Sequence, residues 1–366
     1  MIKNSQSSLN QAAEMKPPLG GNSTAPMKRK PRAKPLLGNT AVDQRIGSRR
    51  LAKENRLVAG VDIGGSNLRV ALADLHGNVL GRWNTSTKAT SSPDMVIALI
   101  EQGIECLLSQ SSCSRRSLLS VAAAAPGVTN PQAGVVLATS YLKGWRDVPL
   151  RQLLEFTLGV PVAVENDVRM AALGEHWVGT ARGVDDFVFL AIGTGIAAGA
   201  FTNGKLIHGS NWTAGEVGYM HVPLAAKEPA RPGEHGALEN IIGGEGIRRQ
   251  WASTCVDNPK SESLTATEIF ARASTGDPLA KRVLEHSAQL LAYAVYNISL
   301  VLDSSLFVLG GGIGVSIPLC DSTRKILERY NEPSRPKLVI SSLGTDAQLM
   351  GAIRLALTTA KQPIRA

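Results

Sequence analysis

At 366 residues, 43% hydrophobic and with 36 glycines, the chain is long enough for two lobes with substantial cores and reads as globular and rich in tight turns. Its net charge of +9 sits in residues 1–56, which carry twelve Lys or Arg against three Asp or Glu, while the remainder carries 27 of each sign. A neutral folded part argues against sequence-specific nucleic-acid recognition, and the lack of any run of 18 apolar residues argues against a membrane-spanning helix.

Residues 1–55 are dense in Pro, Gly, Ser and Lys, with too few large apolar side chains to offset the entropy of ordering them. They read as a disordered basic tail without a signal-peptide core, and a cytoplasmic protein is expected. From Leu57 the pattern becomes short apolar strands punctuated by glycine. "LVAGVDIGGSNLRVALADLHGNVLGRW" predicts strand, Gly turn, strand, HGN turn and strand. An apolar-faced helix near 94–110, a strand at Leu118–Ala125, a helix in "DVPLRQLLEFTLG" and a strand at Pro161–Val164 follow.

"FVFLAIGTGIAAGAFTNGKLIHG", residues 187–209, repeats the meander with a TNGK turn, a duplication of architecture rather than of residues. A Gly- and Pro-rich stretch then runs to about 244. Next come a long helix near 278–302, the strand "SLFVLGGG", a helix near 317–330, the strand "KLVIS" and a closing helix near 345–359. The class is α/β with mixed sheets. Cys106, Cys113, Cys255 and Cys320 show no C-x-x-C spacing and read as free thiols.

Two apolar strands end in glycine loops, "DIGGS" (Asp62 to Ser66) and "GTG" (Gly193 to Gly195). Either loop alone reads equally as a hairpin turn. Two in corresponding places of a duplicated fold would grip a polyphosphate from both sides, because glycine lets backbone N–H groups approach anionic oxygens. Asp62 is then a candidate to hold Mg²⁺ through water. In "FVLGGGIG", Gly310, Gly311 and Gly312 read either as a surface for a purine ring or as tight strand-to-helix packing. In "VAVENDVRMAALGE", Glu165, Asn166 and Asp167 stand between a strand and a helix, where one residue would suffice as a cap. The others are candidates to bind a ligand at the carboxyl end of a strand.

These motifs, together with "APGVTNPQAGVV", "GWRDVPLRQLLE", "AGEVGY", "GALE" and "DAQLMGAIRLAL", resemble in order those of the ROK family of sugar kinases and repressors, from about Val58 to Leu357. The resemblance implies a two-lobed actin-like ATPase (ribonuclease H-like) fold with an interlobe active-site cleft. The expected lobes are 56–166, rejoined by the closing helix 345–359, and a larger one at 167–344. It implies ATP-dependent phosphorylation of a hexose at its 6-hydroxyl, glucose first, by a homodimer. Asp167 would be the general base. Gly65, Asn166, Asp167, Glu216, Tyr219 and Glu239 would meet the sugar, with Glu165 in a supporting hydrogen bond. Asp62, Gly64, Gly65, Ser66, Asn67, Gly193, Thr194 and Gly195 would meet the donor phosphates, and Gly310 to Gly312 the purine.

The chain departs from the family pattern in two places. Tyr219 stands where many members have a zinc-binding His that also touches sugar, and "RPGEHGALE" lacks the cysteines, with Ala237 at the last ligand position, so no zinc is expected. The second loop reads GTGIAAG where GTGIGGG is usual, so Ala197 and Ala198 are expected to narrow the approach to phosphate or to alter the donor. Some zinc-free relatives use inorganic polyphosphate as well as ATP. The alternative function within the family is a sugar-responsive transcriptional regulator or an inactive sensor, against which residues 1–56 lack the apolar periodicity of a winged helix-turn-helix.

Overall fold

The computed structural model describes residues 56–88, 92–223, 235–254, 264–330 and 335–361. The expected basic tail, Cys255 and residues 224–234 of the Gly- and Pro-rich stretch lie outside the described residues. Strands β1 (Leu57–Ile63), β2 (Asn67–Asp74) and β3 (Val79–Ser86) form the predicted antiparallel meander. Helix α1 (Pro93–Gln110) leads to β4 (Leu118–Ala125), which pairs parallel to β1. Three short strands not foreseen in the sequence follow, β5 (Val128–Asn130), β6 (Val135–Ala138) and β7 (Arg146–Val148), forming a small sheet of their own. Strands of three or four residues are too short to show an alternation.

Helix α2 (Leu150–Leu158) ends on Gly159 in the left-handed conformation and returns the chain to β8 (Val162–Asn166). Helix α3 (Asp167–Val178) begins at once. The second meander is β9 (Phe187–Ile192), β10 (Ile196–Thr202) and β11 (Lys205–Leu206).

The single turn α4 (Glu239–Ile242) is followed by α5 (Gly244–Thr254) and α6 (Ala266–Ser274), neither of which was expected. The first residues of α5 are glycines, which mask it. For α6 a signal was present, since Thr265 and Glu268 form a capping box. The long α7 (Pro278–Leu302), β12 (Leu306–Gly310), the turn α8 (Gly311–Gly314), α9 (Ile317–Leu327), β13 (Lys337–Ile340) and α10 (Ala347–Thr359) complete the chain.

The duplication is visible in the sheets. One has the order β3-β2-β1-β4-β8 and the other β11-β10-β9-β12-β13, each with two antiparallel pairs followed by two parallel ones. Each sheet is covered on both faces, as strands of mixed α/β sheets require. The first packs one face on α1 and α2 and the other on α10 and Met170. The second packs one face on α5, α6, α7 and α9, and the other on Val168, Ala171 and Ala172.

Helix α3 is therefore shared between the two sheets. It crosses α10 at two glycines: a Cβ on Gly351 would stand 1.8 Å from the Met170 carbonyl, and one on Gly174 would stand 2.3 Å from that of Ala347. Gly351→Ala is expected to force the two helices apart and to destabilise the protein by about 1–3 kcal/mol or more. A lowered thermal melting temperature measures it.

Candidate active site

Strand β8 ends in an extended residue, Asn166, which caps α3. Its Oδ1 accepts from the N–H groups of Val168 and Arg169, both at 3.0 Å, and its Nδ2 donates to the Gly127 carbonyl at 2.9 Å and to Asp167 Oδ1 at 3.1 Å. Both amide protons and both acceptor positions are thereby occupied. Asn166, the residue expected on the sugar, caps the helix and orients its neighbour.

Asp167, freed from capping, stands first in the helix with Oδ1 also accepting from the Val168 N–H at 2.8 Å. Burial and the charge of Asp62, with a smaller push from Glu216, outweigh the backbone hydrogen bonds and raise its carboxyl to about 7. The positive end of α3 faces the same carboxylate.

Glu165, expected to give a supporting hydrogen bond, is the hub beneath this turn. Its Oε1 accepts from the Asn166 N–H at 2.8 Å and from Arg169 Nε at 2.7 Å, and its Oε2 lies 2.7 Å from His208 Nε2. Burial pushes the Glu165 carboxyl up, but His208 and Arg169 together hold it below its ordinary value. Arg169, only 3% exposed, donates its remaining nitrogens to the carbonyls of Trp212 at 3.0 Å and Thr129 at 2.9 Å. One guanidinium thus ties β5, β8 and the segment that follows β11 to the start of α3.

That segment carries Glu216. Gly215, at φ +97°, lies against β10, where its carbonyl accepts from the Ala198 N–H at 2.7 Å. Glu216 is raised by burial and by Glu239, with Arg169 opposing. Glu239, the first residue of α4, accepts from the Ile196 N–H at 2.9 Å and pairs with His235. Tyr219 is 48% exposed, and burial with the charges of Glu216 and Glu239 pushes its phenol up. Tyr141, unforeseen in the sequence, joins the group: burial, Glu239, Asp167, Glu216 and Tyr219 push its phenol up to about 12.

On the donor side, Asp62, Gly64, Ser66 and Asn67 line a cavity of about 790 Å³ together with Gly311 and Gly312. Gly64 closes its hairpin by donating to the Asn67 carbonyl at 2.9 Å, and Gly193 closes the second by donating to that of Gly195 at 2.9 Å. Gly65 lies against Tyr141, and Gly195 between Tyr141 and Glu239. The exposed Thr194 sits at the tip of the second hairpin.

Two sequence expectations are corrected. Gly310 is buried, with the Phe189 ring where its side chain would be, so its missing Cβ serves packing. Ala198 is buried in the core under the second sheet and so does not narrow the phosphate approach, whereas Ala197 is partly exposed.

Arg69, also unforeseen, lines the donor cavity and pairs with Asp62 through Nε at 2.8 Å and Nη2 at 2.6 Å, while Nη1 donates to the Thr345 carbonyl. Burial raises the Asp62 carboxyl and Arg69 offsets only part of that. A buried carboxylate at the edge of this cavity, raising a second one at Asp167, suits a divalent cation. Among the described residues no three His, Cys, Asp or Glu cluster to hold a metal directly.

The family model described as "ROK family" matches residues 58–359. The glucokinase of Halalkalibacterium halodurans is 30% identical over 310 residues, 81% of this chain and 94% of that protein. A ROK family glucokinase from Streptomyces griseus, solved with glucose and AMPPNP, aligns with TM-score 0.69 and 25% identity over 82% of this chain and 99% of that one. A ROK family transcriptional regulator, a homologue of the E. coli MLC protein, aligns with TM-score 0.73 and 26% identity over 83% of this chain and 79% of that one. The match spans both five-stranded sheets and every carboxylate of the site, and the chain belongs to the ROK family.

Proposed function

We propose that this ROK protein is a sugar kinase that transfers the γ-phosphoryl group of Mg·ATP to the 6-hydroxyl of a hexose, glucose first. The observation that carries the reading is Asp167. It is a carboxylate held at the first position of a buried helix, raised to about 7, beside Glu216 and Asp62. A base poised near the working pH takes the hydroxyl proton as the oxygen attacks the γ-phosphorus and the bond to ADP breaks; such bases contribute about 10²–10⁴-fold. Glu216 and Glu239 accept hydrogen bonds from other sugar hydroxyls. The two glycine hairpins would meet the donor phosphates through N–H groups other than those of Gly64 and Gly193, which close the turns. Asp62 would hold Mg²⁺ through water, and the ion when bound neutralises phosphate charge.

The reading extends to a cytoplasmic homodimer whose lobes are 56–166 with 345–359, and 167–344. Each proposed lobe centres on one of the five-stranded sheets. A sugar-sensing regulator is the second reading, favoured by the likeness to the regulator's fold. It requires sugar binding without turnover.

An ADP-release assay over glucose, mannose, fructose, N-acetylglucosamine and N-acetylmannosamine, with ATP or polyphosphate as donor, tests these readings. Turnover is expected with at least one aldohexose and loss of it in Asp167→Asn. Binding without turnover on the whole panel favours the regulator. For the active enzyme, kcat/KM is expected to rise with pH and level off above about 7, the point at which Asp167 is ionised.

The same shift affects stability. Because the folded Asp167 is raised from 3.8 to about 7, the native state binds more protons between those values, and stability falls as pH rises through that window. Asp167→Asn is neutral throughout. It is expected to raise the melting temperature at pH 8, with the gain shrinking as the pH is lowered towards 4.

With Tyr219 and the buried Ala237 in place of His and Cys, chelator treatment is expected to leave the melting temperature unchanged. Elemental analysis is expected to find no stoichiometric zinc.

A further inference from the structure

Ionised Asp167, Glu216 and Glu239 can only accept hydrogen bonds. A hexose has acceptors of its own, the ring oxygen and the lone pairs of its hydroxyls, and three carboxylates leave them unmatched. A side chain that donates is therefore needed beside them.

Tyr141 is placed to serve as that donor. It lies between β6 and β7, and its backbone presses on the first glycine hairpin: a Cβ on Gly65 would stand 2.9 Å from its carbonyl oxygen and 3.2 Å from its own Cβ. Its hydroxyl reaches the second hairpin, where a Cβ on Gly195 would stand 2.6 Å from that oxygen and 2.6 Å from Glu239 Oε2. The phenol and the carboxylate therefore flank one point beside Gly195. The side chain is 44% exposed, open to a ligand on that side. Burial and the surrounding carboxylates push it up to about 12, so the phenol stays a protonated donor at any working pH.

The geometry points to Tyr141 as a specificity-determining contact for the sugar, its hydroxyl donating to an oxygen acceptor of the bound hexose that the carboxylates cannot serve. The inference rests on the hexose reading of the site.

Calorimetric titration with glucose, without nucleotide, is paired with steady-state kinetics on the wild type and on Tyr141→Phe, which keeps the backbone and Cβ against Gly65 and removes only the hydroxyl. The glucose Kd and KM of the variant are expected to rise on the order of tenfold, with kcat, the KM for ATP and the melting temperature essentially unchanged, as for the loss of one ligand hydrogen bond. An unchanged glucose Kd and KM overturns the contact. So does an equal rise in the KM for ATP, or a fall in kcat at constant Kd, either of which makes Tyr141 a packing residue of the hairpins. Wild-type protein that binds none of the panel hexoses overturns the hexose reading and the contact with it, a result the calorimetry gives before any variant is made.

Discussion

Everything at the site depends on how the first turn of α3 is satisfied. A helix enclosed by two sheets cannot leave its first N–H groups to water, and here Asn166 takes those of Val168 and Arg169 while Asp167 shares that of Val168. Directly beneath, Glu165 and Arg169 form an ion pair whose side chains are almost wholly buried. Such a pair gains little net stability over apolar packing, whereas loss of one partner leaves an uncompensated charge at a cost of about 3–5 kcal/mol. Its value here is positional. The guanidinium uses its other nitrogens on Trp212 and Thr129, and the carboxylate its second oxygen on His208. The carboxylate at position 167 and the segment leading to Glu216 are therefore fixed by one network.

The cleft carries an excess of negative charge. Asp62, Asp167 and Glu216 are all raised: each ionisation works against burial, and those of Asp167 and Glu216 also against neighbouring carboxylates. Arg69 relieves Asp62 alone, and incompletely. A site in this state favours ligands that bring protons to share or positive charge, and hexose hydroxyls and a phosphate-bound cation are ligands of that kind. The pairing with Arg69 also pins Asp62 before any donor arrives, so that its carboxylate has a defined orientation at the edge of the cavity.

The paired meanders were legible because apolar strands broken by glycine repeat in the same order, and the matching strand orders of the two sheets follow from that repeat. The small sheet of β5, β6 and β7 was not, because so few residues per strand carry no periodicity. At the site, Asp167, Glu216 and Glu239 were legible through local motifs, and the structure brings their charges within mutual reach. Arg169 stands only four residues after Glu165, but across the junction of β8 and α3, so the spacing is not that of a helical pair. Tyr141 and His208 had no local sign: each reaches the site from a distant part of the chain, and only tertiary packing places it. Asn166 carries two readings at once: a residue well suited to a sugar hydroxyl is also well suited to a helix cap, and its hydrogen bonds to the buried amides of α3 show the cap.

Small residues set which parts of the cleft hold still. Helix α3 meets α10 through Gly174 and Gly351, and meets β10 at Gly199, where a Cβ would stand 2.7 Å from that of Ala172. Contacts made by backbone have no rotamers with which to adjust, so α3 is a fixed reference between the sheets. Helix α10 extends that reference towards the donor cavity, since Arg69 grips the Thr345 carbonyl and Arg82 pairs with Asp346 at its start. The glycine hairpins and the segments bearing Tyr141 and Tyr219 lie outside this framework. The Asp167 carboxylate is thus set by helix and sheet packing, whereas residues around it stand on turns and connecting segments, so substitutions there can reshape the site without moving that carboxylate.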